Sequence, residues 1–449
     1  MLKEFSISVV RTLRQSGFQA YLAGGCVRDL IMGREPKDFD VATNATPNQV
    51  MRIFPETYAV GEQFGVVLVP VGDEGRGEDV DRASKSSAVE VATFRSDIGY
   101  SDGRHPDEVR FSGDPREDVA RRDFTINGMM LDPVSGEVLD FVGGGKDIEA
   151  GIIRTIGEAE QRFAEDKLRM LRAVRFAARF EYAIEPATFA AMQKMAGEIV
   201  VVSRERVRDE LTRMLTEGHG RRAFQLLDES GLLRYVLPEI SAMKGVEQPA
   251  EYHPEGDVFV HTLLLLDYLP QPCPITLAWG ALLHDVGKPP TFRVAPDRIR
   301  FDNHVEVGVK MAEEICRRLR FSNDDTEQIL ALVDNHMRFG HVSRMKESTL
   351  KKFLRMPAFE EHLALHRADC LASHRHLSTY EFLEEKLAEI PPEKMRPAPL
   401  VTGDDLIAAG HAPGPKFREI LNAVEDAQLE GRLPSRDAAL EFVRREFPV

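Results

Sequence analysis

The feature that most constrains the fold of this chain is an apolar strand that runs into two adjacent glycines and then into a helix. Ala20–Ala23 has the composition of a short buried strand, and Gly24 and Gly25 follow it directly. Adjacent glycines let backbone N–H groups approach a phosphate chain closely, and the helix start after them favours an anion. A plain tight turn needs the same residues, so the glycines alone leave both interpretations open.

A pair of aspartates on the next predicted strand favours the phosphate interpretation. Residues i and i+2 of a strand point to the same face, so Asp38 and Asp40 converge while Phe39 and Val41 face the core. Two adjacent carboxylates repel each other unless a divalent cation lies between them, and Mg²⁺ prefers carboxylate oxygens together with substrate phosphates. An isolated pair of this kind would more simply be solvated at a strand edge. With the glycine turn upstream, the pair predicts a catalytic metal site.

A glycine turn followed by such an acidic pair resembles the signature of the polymerase-beta-type nucleotidyltransferase superfamily. The resemblance implies phosphoryl transfer with two metal ions, one activating an RNA 3′-hydroxyl and the other holding the triphosphate and the leaving pyrophosphate. It also implies a third carboxylate on a neighbouring strand. Glu90, in the alternating segment Ala88–Phe94, is the candidate, and a solvent-facing strand glutamate is the alternative.

Two charged segments farther along the chain have the side chains that a nucleotide needs. Arg121–Asn127 combines two arginines, which can fork onto phosphates, with an aspartate and an asparagine that can bond ribose hydroxyls. A charged helix start is the alternative for this segment. Glu165–Phe180 has helical periodicity and few acids to pair with its arginines, which favours a wall facing phosphates or bases over a solvated face. The arginines on one face of this predicted helix are Arg169, Arg172, Arg175 and Arg179.

In this order the segments resemble the class II CCA-adding enzymes and the related bacterial poly(A) polymerases, over nearly the whole chain. The resemblance implies template-independent addition of CCA, or of its terminal A, to the 3′ end of tRNA from CTP and ATP. Asp166 and Arg169 would read the Watson–Crick edge of the incoming base, and Asp38 and Asp40 would be the catalytic Mg²⁺ ligands. Together with the arginine face of the predicted helix, the residues predicted at the nucleotide are Gly24, Gly25, Arg28, Arg122, Asp123, Asn127, Asp166, Arg169, Arg172 and Arg175.

Three other segments bear on this resemblance. Ser203–Arg206 matches the later helical motif that supports the nucleotide pocket in the family. Arg95–Phe111, with Tyr100–Arg104 inside it, resembles a flexible loop that enzymes restricted to adding CC tend to lack, which favours full CCA or terminal-A addition. Gly145 and Lys146 stand where relatives often have an arginine, so the hinge motif departs from the family pattern.

A second candidate site lies in a histidine-rich part of the chain, because ten of the 13 histidines fall between His253 and His376. The pattern resembles that of the HD phosphohydrolases, and imidazole with carboxylate suits Mn, Ni, Fe or Zn. The candidate ligands are His261, His284, Asp285, His304, His336 and Asp369. The resemblance implies hydrolysis of phosphomonoester or 2′,3′-cyclic phosphate ends. A structural metal site is the alternative.

Strand signals become rare after Ile153, and amphipathic helices dominate from there. We therefore expect an α+β protein whose N-terminal head, a polymerase-beta-like mixed sheet with helices, precedes all-α parts. The predicted segments are a nucleotidyltransferase head at 1–150, a helical neck and body at 151–245, an HD domain at 246–390 and a helical tail at 391–449.

Composition limits the possible partners. The net charge of −15 argues against broad adhesion to nucleic acid or anionic membranes, although it allows a local cluster of cations. The chain has no apolar run of about 18 residues, and Met1–Leu13 lacks the features of a signal peptide. The four cysteines are scattered, without CxxC spacing. These features predict a cytoplasmic protein with reduced thiols and no membrane partner, and they leave the oligomeric state open.

Two alternative functions remain at this point. A poly(A) polymerase would share the head chemistry, but such enzymes tend to carry basic C-terminal extensions, whereas Glu381–Val449 is net acidic. The chain could instead be mainly an HD phosphohydrolase with an RNA-binding head. The intact set of acidic and arginine residues in the head argues against that alternative, since a binding module has no use for it.

Overall fold

The structure is a computed structural model that describes residues 1–59, 65–71, 88–99, 108–249, 251 and 253–449. These residues form two compact units, of which the first contains Met1–Met214 and Arg222–Pro238. The second contains Leu215–Arg221 and Glu239–Val449. The Tyr100–Arg104 part of the predicted loop lies outside the described residues. Among the described residues, no helix is both long enough and apolar enough to span a membrane.

A seven-stranded mixed sheet forms the centre of the first unit. Its strands are β1 (Ala20–Ala23), β2 (Asp40–Thr43), β3 (Tyr58–Ala59), β4 (Val66–Pro70), β5 (Ala88–Thr93), β8 (Met129–Leu131) and β9 (Val138–Asp140), and a separate hairpin joins β6 (Arg95–Ile98) to β7 (Glu108–Phe111). The order in the sheet is β3-β4-β5-β2-β1-β8-β9. Strands β2 and β5 are parallel, and the other neighbours are antiparallel. The mixed sheet predicted for the head is therefore present.

Three helices cover one face of this sheet and build its core. They are α1 (Leu2–Gln15), α2 (Gly25–Ile31) and α3 (Pro47–Ile53). Helix α1 is amphipathic and buries Val9, Val10 and Leu13 against the strands. Helix α3 begins after Thr46, which forms a capping box with Gln49 and fixes the start of the helix.

The chain between β7 and Pro238 also contains further helices and two short strands. They are α4 (Pro115–Ala120), a 3-10 helix (Thr125–Asn127), α5 (Gly144–Ala150), β10 (Ile152–Ile153), α6 (Ala159–Glu165), α7 (Leu168–Phe180), β11 (Ala183–Ile184), α8 (Pro186–Met195), a 3-10 helix (Ala196–Val201), α9 (Arg204–Thr216), α10 (Gly220–Glu229) and α11 (Leu233–Val236). The prediction of one helix over Glu165–Phe180 is wrong. Asp166 has φ −144° and ψ 105°, an extended conformation that separates α6 from α7.

The remaining elements are almost all helical. They are α12 (Pro238–Ser241), α13 (Val258–Leu266), α14 (Ile275–Leu283), α15 (Lys288–Thr291), β12 (Phe292–Val294), β13 (Ile299–Phe301), α16 (His304–Arg318), α17 (Asn323–Asn335), a 3-10 helix (His336–Arg344), α18 (Glu347–Leu354), α19 (Phe359–Ala372), α20 (Ser378–Glu389), α21 (Pro392–Met395), α22 (Gly403–Ala408), α23 (Pro415–Leu429) and α24 (Arg436–Glu446). Helix α14 is apolar on all sides because it is surrounded by α13, α17 and α19. The C-terminal helices α22, α23 and α24 share an apolar cluster of their own.

Candidate active sites

A polar cavity of about 520 Å³ lies in the first unit, where β1, β2, α2 and α7 meet. All of the residues predicted to bind the nucleotide, and both aspartates of the acidic pair, line this cavity: Gly24, Gly25, Arg28, Asp38, Asp40, Arg122, Asp123, Asn127, Asp166, Arg169, Arg172 and Arg175. Arg179, Arg206 and Arg213 also line it. The cavity therefore has a cationic wall and an acidic edge, the charge pattern that a nucleoside triphosphate with a divalent cation requires.

The glycine turn brings one arginine close to the acidic pair. Ala23 at the end of β1 lies opposite Asp40, and Gly24 follows with φ +75°, a conformation that favours glycine. A Cβ atom on Gly24 would lie 2.7 Å from a guanidinium nitrogen of Arg122 and 4.0 Å from a carboxylate oxygen of Asp40. Gly24 is thus needed both for the turn and for the approach of Arg122 to the acidic pair.

The acidic pair has the alternation that the sequence predicts. Phe39 and Val41 are buried, Asp38 is exposed and Asp40 is half-buried as the first residue of β2. Glu90 lies directly opposite Asp40 in the parallel register of β2 and β5. Residues in register on neighbouring strands point to the same face, so this position suits a third carboxylate. Glu90 is not, however, among the described residues that line the cavity.

A buried carboxylate that the sequence analysis did not identify holds the arginines at the cavity. Asp118 is 1% exposed, and its two oxygens accept hydrogen bonds from Arg121 at 2.6 Å and from Arg122 at 2.9 Å. Burial would raise the pKa of Asp118, but the two guanidinium groups lower it. The i,i+3 and i,i+4 spacing of these residues was a signal that could have identified this contact.

Asp123 and Asn127 form a buried network with two arginines. Asp123 accepts hydrogen bonds from the Asn127 amide at 3.1 Å and from Arg172 Nε at 2.8 Å. Asn127 in turn accepts one from Arg28 at 2.6 Å, and the Arg28 guanidinium lies 4.8 Å from the ring centre of Phe180. Burial would raise the pKa of Asp123, but Arg172 and Asn127 hold it at about 2. Asp123 is therefore a fixed anion.

Asp166 and Arg169, the predicted base-reading pair, are held by neighbours on both sides. Asp166 Oδ1 accepts the Leu168 N–H at 3.0 Å at the start of α7, and its Oδ2 accepts a hydrogen bond from Arg206 at 2.7 Å. Arg169 donates to Glu165 at 2.7 Å and to the Arg121 carbonyl at 2.9 Å. Both side chains are thereby fixed where they line the cavity.

The prediction that the arginines of α7 have few acidic partners is wrong. Besides the Arg169–Glu165 and Arg172–Asp123 pairs, Arg175 Nε donates to Glu210 on α9 at 2.6 Å, with both side chains buried. Glu165 stands four residues before Arg169 within the predicted segment, but Asp123 and Glu210 come from other elements, so the helix sequence gave no sign of those two.

The second candidate site lies in the second unit, where all six predicted metal ligands come together. His284 Nε2 is 3.1 Å and His261 Nε2 is 4.0 Å from Asp285 Oδ2. His336 and His304 approach Asp285 Oδ1 at 3.7 and 3.8 Å. The sixth residue, Asp369, lies 3.1 Å from His261 Nε2. Asp285 therefore belongs to two groups of potential metal ligands, one on each of its oxygens.

The histidine tautomers fit metal binding. The Nδ1 atoms of His284, His304 and His336 lie 2.7–2.9 Å from the carbonyls of Ala281, Phe301 and Val333, so Nδ1 carries the proton. Each Nε2 then has a lone pair directed toward Asp285, and the Nε2 atoms of His304 and His336 are buried without a hydrogen-bond partner among the described residues. Buried imidazole lone pairs around a carboxylate are the donors that a metal ion needs.

The protonation states of the residues at this site favour the binding of a cation. Burial lowers the pKa of His336 to about 4, so this imidazole is neutral near pH 7. Burial would raise the pKa of Asp285, but neighbouring positive charge, including the Lys288 ammonium, holds it well below its usual range. Lys288 Nζ lies 2.6 Å from Asp285 and donates to Gln248 at 2.7 Å. The sequence analysis did not identify Lys288 or Gln248 as part of this site.

A cavity of about 410 Å³ opens onto the histidine–aspartate cluster. Lys288 and two arginines of the β12–β13 hairpin, Arg298 and Arg300, line it together with His253 and His374. Cations beside a metal-ligand set are suited to an anionic ligand such as a phosphoester.

Sequence models of three protein families match this chain. They are the Poly A polymerase head domain at residues 20–154, the "probable RNA and SrmB-binding site of polymerase A" at residues 181–244, and the HD domain at residues 257–373.

Curated relatives match part or nearly all of the chain. The CCA-adding enzyme of Geobacillus stearothermophilus is 41% identical over 231 residues, which cover 51% of this chain and 54%, about half, of that relative. The CCA-adding enzyme of Geobacillus sp. (strain WCH70) is 31% identical over 432 residues, 95% of this chain and 93% of the relative. The Multifunctional CCA protein of Chromobacterium violaceum is 35% identical over 345 residues, which cover 75% of this chain and 79% of that protein.

Solved structures share the fold. The Bacillus stearothermophilus CCA-adding enzyme in complex with CTP superimposes with a TM-score of 0.74 at 27% identity, covering 98% of this chain and 97% of that one. The Thermotoga maritima CCA-adding enzyme complexed with tRNA gives a TM-score of 0.60 at 18% identity, covering 98% and 94%, and this likeness concerns the fold alone.

Proposed function

The chain belongs to the family of CCA-adding enzymes, and from this premise we propose that it adds CCA to the 3′ end of tRNA from CTP and ATP, releasing pyrophosphate. One observation carries the proposal. A single cavity brings together the acidic pair Asp38 and Asp40, the glycine turn at Gly24, and the Asp166–Arg169 pair. These are the parts needed for phosphoryl transfer and for base choice without a template.

The roles of the residues follow from their positions in the cavity. Asp38 and Asp40 are proposed to hold Mg²⁺, which when bound neutralises charge on the triphosphate. Arg122, next to Gly24, and Arg28 face the phosphates. Asp123, held as an anion by Arg172, accepts a hydrogen bond from a ribose hydroxyl. The nucleotide is thereby oriented for attack by the RNA 3′-hydroxyl.

The histidine–aspartate site is proposed to bind a transition metal (Mn, Ni, Fe or Zn) and to hydrolyse phosphoester ends of RNA. Support comes from the four imidazoles around Asp285 and from the cations that line the cavity. The division of the chain at 150, 245 and 390 and the cytoplasmic location also stay proposals.

The alternatives are not favoured. Two family models carry the name of poly(A) polymerase, whereas two curated relatives that this chain matches over more than two thirds of their length are a CCA-adding enzyme and a Multifunctional CCA protein. A chain that is mainly a phosphohydrolase would have no use for the cavity of the first unit.

A direct assay tests the proposed activity. Purified protein with Mg²⁺ is incubated with tRNA lacking CCA, lacking CA or lacking only the terminal A, with each nucleoside triphosphate supplied separately. We expect C on the first two substrates and a single A on the third. A long A tail would establish the poly(A) alternative, and addition of A alone would restrict the enzyme to the terminal nucleotide.

Replacement of Asp166 with alanine should weaken the preference for C and A. The carboxylate can accept a hydrogen bond from the exocyclic amino group of C or A, but it faces a carbonyl in U or G. An unmet pairing of this kind costs about 1–3 kcal/mol, roughly 5- to 150-fold in discrimination. The ratios of CTP to UTP and of ATP to GTP incorporation should fall by that factor, with slower addition of C and A.

Asp166 also caps α7 by accepting the Leu168 N–H, so the thermal stability of the Asp166→Ala variant must be measured together with its nucleotide preference. Loss of a cap costs about 1 kcal/mol. Asp209→Ala, which removes an exposed aspartate on α9, is the matched control. If the Asp166 variant loses thermal stability but keeps its nucleotide ratios, the residue is only a cap and the proposed base-reading role is wrong.

A further inference from the structure

One carboxylate oxygen in the second unit is shared by two histidines. Glu255 Oε1 lies 2.6 Å from His261 Nδ1 and 2.9 Å from His253 Nδ1. The Glu255 side chain is 7% exposed, and it belongs to the loop before α13. Asp257 fixes this loop, because its oxygens accept hydrogen bonds from the N–H groups of Val260 at 2.8 Å and Gly245 at 2.6 Å. Glu255 is therefore held firmly beside the histidine–aspartate cluster.

Two arrangements are compatible with the group formed by His253, Glu255 and His261. The ligand atoms of His253, Glu255 and His261 lie within 4.8 Å of one another, so they could hold a metal ion of their own. Alternatively, Glu255 could accept the Nδ1 protons of the two imidazoles.

The orientation of His261 decides between them. The Nε2 atom of His261 faces Asp369 at 3.1 Å and Asp285 at 4.0 Å, so it is the ring nitrogen on the side of the predicted metal ligands. An imidazole that gives its Nε2 lone pair to a metal ion keeps its proton on Nδ1, where it can donate to Glu255. The Nδ1–oxygen distance of 2.6 Å is that of a charge-assisted hydrogen bond and leaves no space for an ion between the two atoms.

His261 differs in this respect from the other three histidines around Asp285. The Nδ1 atoms of His284, His304 and His336 donate to neutral backbone carbonyls. His261 donates to a carboxylate, which increases the basicity of the ring and fixes its orientation more strongly than a carbonyl does.

We propose that Glu255 is a positioning residue of the histidine–aspartate site, which holds His261 in the tautomer and orientation that a bound metal ion requires. His253 shares the same oxygen and is not a metal ligand. The inference rests on the proposed metal site and concerns a residue outside its predicted ligand set. Outer hydrogen-bond partners of this kind change metal affinity by about 10- to 100-fold.

The test is a titration of the chelator-treated full chain with Ni²⁺, which measures the dissociation constant and the number of ions bound. Glu255→Ala should weaken binding by about 10- to 100-fold. Glu255→Gln should be intermediate, because its amide oxygen can still accept one Nδ1 proton but carries no charge. Glu251→Ala, which removes an exposed glutamate from the same loop, is the matched control and should bind as the unaltered chain does.

The number of bound ions separates the possible outcomes. His253→Ala should leave it unchanged, and loss of one ion would show that His253, Glu255 and His261 form a metal site of their own. An unaltered chain that binds no Ni²⁺ would overturn the proposed metal site itself. If the unaltered chain binds Ni²⁺ and Glu255→Ala binds it equally well, only the positioning role fails. Thermal unfolding of each variant without metal identifies any general loss of structure.

Discussion

Nucleotide addition is expected to fall by at least about a thousand-fold, roughly 4 kcal/mol in the activation barrier, when Asp40 is replaced with alanine. Asp40 begins β2 next to the glycine turn, and its carboxylate faces the cavity that Arg122 and Asp123 also line. Without this carboxylate the proposed Mg²⁺ loses a ligand while the positive wall for the triphosphate remains. Asp38→Ala should have the same effect, because the two carboxylates act on one cation.

The fold should survive both substitutions. The pairing of β2 with β1 and β5 is made by the backbone, and the apolar contacts of this strand come from Phe39 and Val41, which are unchanged. Thermal unfolding should therefore be close to that of the unaltered chain. Glu137→Ala, which removes an exposed acid elsewhere in the first unit, controls for loss of charge. Substantial incorporation of CMP by either aspartate variant with Mg²⁺ would refute the role of the acidic pair.

Bound transition metal should fall to background when Asp285 is replaced with alanine. Asp285 is the group that both sets of potential ligands share, so its loss removes an oxygen donor from each set. Any phosphodiesterase activity should disappear with the metal, whereas nucleotide addition should continue, since the Asp285 site and the acidic pair lie in different units. Metal content by mass spectrometry and hydrolysis of a 2′,3′-cyclic phosphate measure the two effects.

Asp285 is buried and compensates the charge of Lys288, so removal of its carboxylate could cost about 3–5 kcal/mol of folding free energy. Asp285→Asn keeps the volume and one oxygen and is therefore the second variant to measure. A folded Asn variant with reduced metal content supports the ligand role. Unchanged metal content in both folded variants would show that the ions bind elsewhere.

Most features of the first site could be predicted from short segments of the sequence. The strand Ala20–Ala23, the glycines after it and the alternation around Asp40 are local features, and the structure has them where the sequence predicts them. Local patterns are reliable here because the period of a strand and the backbone freedom of glycine are properties of a few adjacent residues. The same holds for α9, which begins after Ser203 as predicted.

Predictions that depended on partners distant in the sequence were less successful. The arginines of α7 were expected to have few acidic partners, yet Glu210 pairs with Arg175 from another helix. The interruption of the helix at Asp166 was also not predicted, because the helical periodicity of the sequence continues through this residue. Its extended conformation accompanies a contact with Arg206, 40 residues farther along the chain.

The sequence by itself determined the chemistry available to this protein: an acidic pair after a glycine turn, a set of arginines, and a cluster of histidines with Asp285. Residue type and local spacing decide which atoms can bind a cation, a phosphate or a base edge. Only the tertiary structure decided the protonation and orientation of those atoms. Asp123 is a fixed anion because Arg172 lies against it, and His261 directs Nε2 toward Asp369 and Asp285 while its Nδ1 lies 2.6 Å from Glu255. Hydrogen bonds and desolvation depend on distances between side chains, and folding sets these distances between residues that are far apart in the sequence.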